Sequence, residues 1–168
     1  WTGVSNPLTG FIKVDGRVYR FLGNTEQTLE TVLPTGEEKP YACAYTETQP
    51  GESWMSETFD DSKWNAGIAP FGNAAGESKT MWNSAGIWMR REFELNDISF
   101  GKLFLQLRHD DDVEVYINGE KVYSCSNCWV AKYTAIPIDE TIKSKLKKGK
   151  NLLAMHCINP HGGAWLDA

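Results

Sequence analysis

The strongest pattern in the chain is a period-two alternation of apolar and polar positions. From Ile87 to Leu95, the residues Ile87, Met89, Phe93 and Leu95 share one face and Trp88, Arg90, Glu92 and Glu94 the other, as in a half-buried strand. Leu103, Leu105 and Leu107 alternate with Phe104, Gln106 and Arg108, and Val113, Val115 and Ile117 with Glu114 and Tyr116, giving two further strands with one core face each. Residues 152–158 are apolar on both faces apart from His156, which predicts a central strand. Asp15-Gly16 and Asn118-Gly119 are residue pairs that favour two-residue type I′ turns, so hairpins are predicted around both. Asp139 supplies an N-cap for one short helix ending at Gly149. No strand alternates with a long helix, as a parallel sheet would require, and no internal repeat is visible. The predicted class is an all-β sandwich or jelly roll with one short helix.

The alternation lapses between Asn24 and Pro40, where Pro34, Gly36 and Pro40 punctuate the chain. The expected division is an N-terminal hairpin segment over residues 1–36, belonging to a neighbouring domain, and a sandwich over 37–168. The long turn-rich stretch that follows Tyr45 holds Trp54, Trp64 and Phe71, aromatics expected to plug the sandwich edge. The chain opens at Trp1 without a Met and stops in a strand-like stretch, so a piece of a longer parent protein is expected. Other domains of that parent are the expected partners.

Composition narrows the function classes. Hydrophobic residues make up 41% of the 168 positions and seven are Trp, which marks a folded chain with a substantial core. Seventeen Lys and Arg against 22 Asp and Glu leave a net charge of -5, the wrong sign for binding a phosphate backbone, so no nucleic acid is expected. Lys143, Lys145, Lys147, Lys148 and Lys150 surround Ile142 and Leu146 at helical spacing and read as a solvated helix end. No apolar run approaches the roughly 20 residues of a membrane-spanning helix, and no membrane partner is expected. Of the four Cys, Cys125 and Cys128 form a Cys-x-x-Cys pair that fits both a local disulfide and two free thiols, while Cys43 and Cys157 lie in apolar runs and read as buried thiols.

Four stretches carry a family likeness: residues 59–64 (FDDSKW), 87–93 (IWMRREF), 111–119 (DDVEVYING) and 146–156 (LKKGKNLLAMH). In order and spacing, over residues from about 41 to 168, they resemble galactose-binding-like domains, which implies a jelly-roll β-sandwich in which calcium sites are common. Residues 1–3 with the run 10–23 are similar to the early region of bacterial glutaminase-like proteins, multidomain exported proteins. That likeness implies a periplasmic or cell-surface location and a hydrolase parent, while nothing in these residues matches a catalytic domain.

The densest polar run is Arg108-His109-Asp110-Asp111-Asp112. Its adjacent carboxylates offer oxygen ligands to a calcium ion, or a grip on sugar hydroxyls with His109 assisting; the competing reading is a solvated strand connection. Sugar binding on a sandwich calls for an aromatic platform, and Trp129, among small and polar neighbours, is the first candidate, followed by Trp82 and Trp165. Trp64 and Trp88 read as packing residues. Arg91 falls on the apolar face of its strand and is expected to be held in an ion pair by an Asp or Glu. His156 reads as a buried histidine and His161 as a loop residue. No nucleophile elbow, Walker loop or zincin motif is present, and adjacent carboxylates on one connection do not match the opposed pair of a glycosidase. The sequence therefore points to a non-catalytic accessory module of an exported hydrolase, glutaminase-like or glycosidase-like, that is structural or ligand-presenting. A carbohydrate-binding module using His109, Asp110, Asp111 and Trp129 is the alternative, and a small hydrolase the least favoured reading.

Overall fold

A computed structural model describes residues 10–14, 17–21 and 30–168. The chain divides into two compact units, Trp1–Val32 and Leu33–Ala168. In the first, β1 (Gly10–Val14) pairs antiparallel with β2 (Arg17–Phe21), Val14 opposite Arg17, which is the register of a two-residue connection. The predicted Asp15-Gly16 turn and the Trp1-Thr2-Gly3 stretch lie outside the described residues.

The second unit contains β3 (Ala42–Thr46), β4 (Asn65–Ile68), β5 (Phe71–Gly72), β6 (Thr80–Met81), β7 (Gly86–Leu95), β8 (Leu103–Asp110), β9 (Asp112–Ile117), β10 (Glu120–Cys125), β11 (Thr134–Ile138), α1 (Glu140–Lys143), β12 (Gly149–Ile158) and β13 (Trp165–Asp167). One sheet has the order β10-β9-β12-β7-β3-β4 and the other β11-β8-β13-β5-β6. All pairings are antiparallel except β5 with β6. The inner faces meet in one core, Ile87, Met89, Val113, Val115, Met155 and Cys157 from the first sheet against Phe71, Leu105, Leu107 and Leu166 from the second. This is the all-β jelly-roll sandwich with one short helix that the alternation predicts.

Central β12, between β9 and β7, is apolar on both sides because its outer face is also covered. Leu152 and Ala154 pack outward with Tyr116 under Trp54, and Phe59, Trp64 and Trp88 close the cluster. The turn-rich stretch after β3 thus forms a lid on the outer face of this sheet. The Asn118-Gly119 turn has positive φ at both residues, 50° and 86°, as a type I′ hairpin requires.

The helix is shorter than expected. Asp139 does cap it, its carboxylate accepting from Thr141 N at 2.7 Å, but α1 ends at Lys143 instead of continuing towards Gly149. The reason is Asn151, whose side chain accepts from Lys147 N (2.9 Å) and donates to the carbonyls of Lys147 (2.7 Å) and Gly149 (2.9 Å). Asn118 holds Asn151 and the Lys145 carbonyl, both at 2.9 Å. These two amides take the backbone groups that a longer helix would have paired internally. Of the Lys run only Lys143 belongs to the helix end; beyond it Lys145 meets Glu120, Lys147 meets Glu57 and Lys150 meets Glu92.

Candidate functional site

Strand alternation decides the fate of the Asp run. On β8 it carries Leu105, Leu107 and His109 inward, and His109 is only 1% exposed. Its Nδ1 lies 2.5 Å from the Asp111 carbonyl, and burial depresses its pKa, opposed by that contact and by Asp111 and Asp112. The expectation that His109 contacts a ligand is therefore corrected: it completes the apolar face of its own strand. Asp110 ends β8 on the outer face of the five-stranded sheet, whereas Asp112 begins β9 in the other sheet, on the side of Glu114. Asp111 is the half-buried link where the chain crosses between the sheets. Asp110 and Asp111 are hydrogen-bonded to each other, and among the described residues no three His, Cys, Asp or Glu side chains converge to hold a metal ion. Asp112 instead accepts from Asn127 N at 2.7 Å, anchoring the loop that leads to Trp129.

Trp129 and Asp110 do come together. They face each other in an isolated antiparallel bridge, next to a hydrogen bond from Val130 N to the His109 carbonyl at 3.0 Å. Residues directly opposite in such a pair project to the same side. Trp129 is 62% exposed, and the loop before it is closed by a disulfide between Cys125 and Cys128. On the other side of Asp110, across β13, stands Trp165. The Asp110 carboxyl is pushed up to about 6, first by desolvation, then by the hydrogen bond and charge of Asp111, with Arg108 opposing. Residue 163 is glycine where the chain passes this group: a Cβ there would stand 3.1 Å from Asp110 Oδ2.

The remaining aromatic candidates are not platforms. Trp82 is wholly buried, its Nε1 donating to Ser84 Oγ at 3.2 Å. Trp165 is 6% exposed, and the Arg108 guanidinium lies 3.8 Å over its ring. Trp64 and Trp88 pack in the outer cluster, as expected. His156 is half-buried and stacks on Trp88 with ring centroids 4.2 Å apart; burial depresses its pKa although Glu114 is 3.9 Å away. His161 is exposed on the 159–163 loop. Cys43 and Cys157 are buried free thiols, and burial pushes Cys43 up to about 12.

The ion pair expected at Arg91 is found at its neighbour Arg90. Arg90, on the polar side of the alternation, is buried beneath the lid and forms the ion pair, Nε to Asp61 at 2.6 Å, with further bonds to the carbonyls of Trp54 and Ser56. Arg91 is buried as expected, but among the described residues no carboxylate reaches it directly. It donates to the carbonyls of Pro34 and Ala168, each at 3.1 Å, and lies 3.4 Å over the Tyr41 ring. The carboxylate is one step further. Asp167, with no exposed surface, accepts from Tyr41 Oη (2.7 Å), from Gly36 N (2.7 Å) and from Tyr133 Oη. Burial raises its pKa, and those three donors pull it back. The sequence carries no signal for this hub, because Tyr41, Tyr133 and Asp167 share no motif and meet only through the fold.

Residues 1–34 match a family described as a domain of unknown function, DUF4964. No curated protein matches the chain. Among solved structures, a glycosyl hydrolase family 2 member from Bacteroides cellulosilyticus is similar at 18% identity and a TM-score of 0.53, over 75% of this chain and 19% of that one. A β-glucuronidase from Bacteroides uniformis is similar at 18% identity and 0.51, over 77% and 18%. A Bifidobacterium dentium β-glucuronidase complexed with coumarin-3-O-glucuronide is similar at 16% and 0.52, over 74% and 20%. The chain spans about a fifth of the length of each, and at these identities the likeness concerns the sandwich fold alone.

Proposed function

We propose that the sandwich is a non-catalytic accessory module of a larger hydrolase, glycosidase-like or glutaminase-like and exported, and that it presents a carbohydrate-facing patch built on Trp129 and Asp110. The observation that carries this reading is the pairing of a 62% exposed indole with a carboxyl on an ordered strand bridge. An indole face stacks on the C–H face of a sugar ring while the carboxyl accepts from its hydroxyls. The limited span of the matched glycosidases supports a module within a longer enzyme. Hydrolysis by the module itself is disfavoured by the same geometry. His109 is sealed in the core, and Asp110 and Asp111 are chain neighbours instead of two acids facing across a scissile bond at about 5–9.5 Å.

Calorimetric titration of the whole chain with neutral mono- and oligosaccharides tests the reading. Weak binding that disappears in Trp129→Ala is the expected result. Binding that Trp129→Ala leaves intact would remove the patch from the proposal, and turnover of aryl glycosides by the purified chain would overturn the non-catalytic role.

A further inference from the structure

A second feature opens on the same outer face as Trp129. Gly36, Glu37, Pro40, Pro70, Glu77, Lys79, Arg108 and Trp165 line a cleft of about 430 Å³, ample for a sugar residue. Arg108 lies two positions before Asp110 on β8, so both side chains leave the sheet on one side, about 7 Å apart by strand geometry. Four charged groups border the cleft, and among the described residues none of Arg108, Lys79, Glu37 and Glu77 forms an ion pair. Arg108 is held by the Trp165 ring and not by a carboxylate. Stacking occupies one face of a guanidinium and leaves its N–H edge free for a planar, bidentate acceptor.

We propose that this cleft binds the carboxylate of a uronic-acid residue, so that the glycan spanning the outer face is an acidic one, with a neighbouring ring on Trp129. The inference rests on the carbohydrate reading above and names its ligand class. Arg108 receives the carboxylate with Lys79 in support, while Glu37 and Glu77 accept from hydroxyls. The two carboxylates also set the charge of the guest: they repel a dianion such as a phosphate ester, which two cations alone would welcome. A covered Trp165 face makes the cleft a charge-reading subsite, and stacking is left to Trp129.

The test compares methyl α-D-galacturonide with methyl α-D-galactoside, which differ in the carboxylate alone, by calorimetry on the whole chain at low salt. The galacturonide is expected to bind about tenfold more tightly, an advantage reduced at about 0.5 M NaCl. Arg108→Gln should bring it down to the galactoside level, and Lys79→Gln, whose side chain is exposed at the rim, should give an intermediate loss. Thermal unfolding of both variants checks that the fold persists. Equal affinity of the two glycosides would overturn this inference while the Trp129 patch stands; binding of neither would remove both. Acetate or glycylglycine binding as tightly as the galacturonide would also overturn it, in favour of a simple anion or a zwitterion.

Discussion

Asp110 and Asp167 stand on the same outer face of the five-stranded sheet, on neighbouring strands, and both carboxyls are raised above 3.8 chiefly by desolvation. Their surroundings differ in one respect. The segment leading into β3 folds over Asp167, bringing Gly36 N and Tyr41 Oη to it, and Tyr133 closes the other side. Among the described residues no comparable set of donors reaches Asp110, whose neighbours include Asp111, Gly163, Trp165 and the exposed Trp129. One sheet face is therefore divided into a sealed end, where a carboxylate organises the fold, and an open end, where a carboxylate remains available to solvent and ligand. A raised pKa alone does not distinguish the two; the partners do.

The largest effect is expected from breaking the sealed end. Asp167→Ala leaves three donors without an acceptor, at about 1–3 kcal/mol for each buried group, so a loss of about 3–5 kcal/mol is expected. Urea unfolding should show a lower midpoint with an unchanged slope. Tyr133→Phe removes one donor and keeps the ring, which predicts a loss of about 1 kcal/mol in the same measurement. Equal losses in the two variants would mean that the hub acts through Tyr133 alone.

The open end is sharpened by pH. The Asp110 carboxyl titrates near 6 in the folded chain against 3.8 in the unfolded one. Between about pH 4 and pH 6 the unfolded chain has released a proton that the folded chain keeps, so this group lowers stability as pH rises through that window. His109 has the opposite sign: its folded pKa lies below 6.5, so the unfolded chain takes up the proton first and stability is lost as pH falls below 6.5. Asp110→Asn should remove part of the decline towards pH 6, no more than about 1 kcal/mol once solvent screening is counted, and leave the histidine-dependent loss in place. Chemical denaturation at pH 4, 5, 6 and 7 reads both. A variant whose profile overlays the parent's would remove Asp110 from the balance.

How far the sequence reached follows the range of the interactions involved. Alternation and turn pairs are local, and they located β7, β8, β9 and the Asn118-Gly119 turn. The same rule, carried two residues beyond Leu107, places His109 in the core even though the residues that follow it in the run are acidic. Partners set by tertiary contact were out of reach. Arg90 is buried because the stretch holding Trp54 and Asp61 folds over the outer face, and nothing in the alternation of β7 announces that cover. The short helix has the same origin, since Asn118 and Asn151 are 33 positions apart and compete for its backbone only once β9 and β12 pair. For the patch, Trp129 was legible from its small and polar neighbours, but its bridge to Asp110 depends on the chain doubling back along β8.

The smallest effect on stability is expected where the largest effect on binding is proposed. At 62% exposure the Trp129 side chain buries little area, and the bridge to Asp110 is made by backbone groups that alanine retains. Trp129→Ala should therefore shift the unfolding free energy by no more than about 0.5 kcal/mol, the usual range for a surface position. Trp165→Ala, on the opposite side of Asp110, removes an indole that is 6% exposed and should cost about 3–5 kcal/mol. Two tryptophans flanking one carboxyl would then differ almost entirely in stability. A Trp129→Ala loss comparable to that of Trp165→Ala would place its indole in the packing of the sandwich, and the open end of the sheet would lose its claim to be a binding surface.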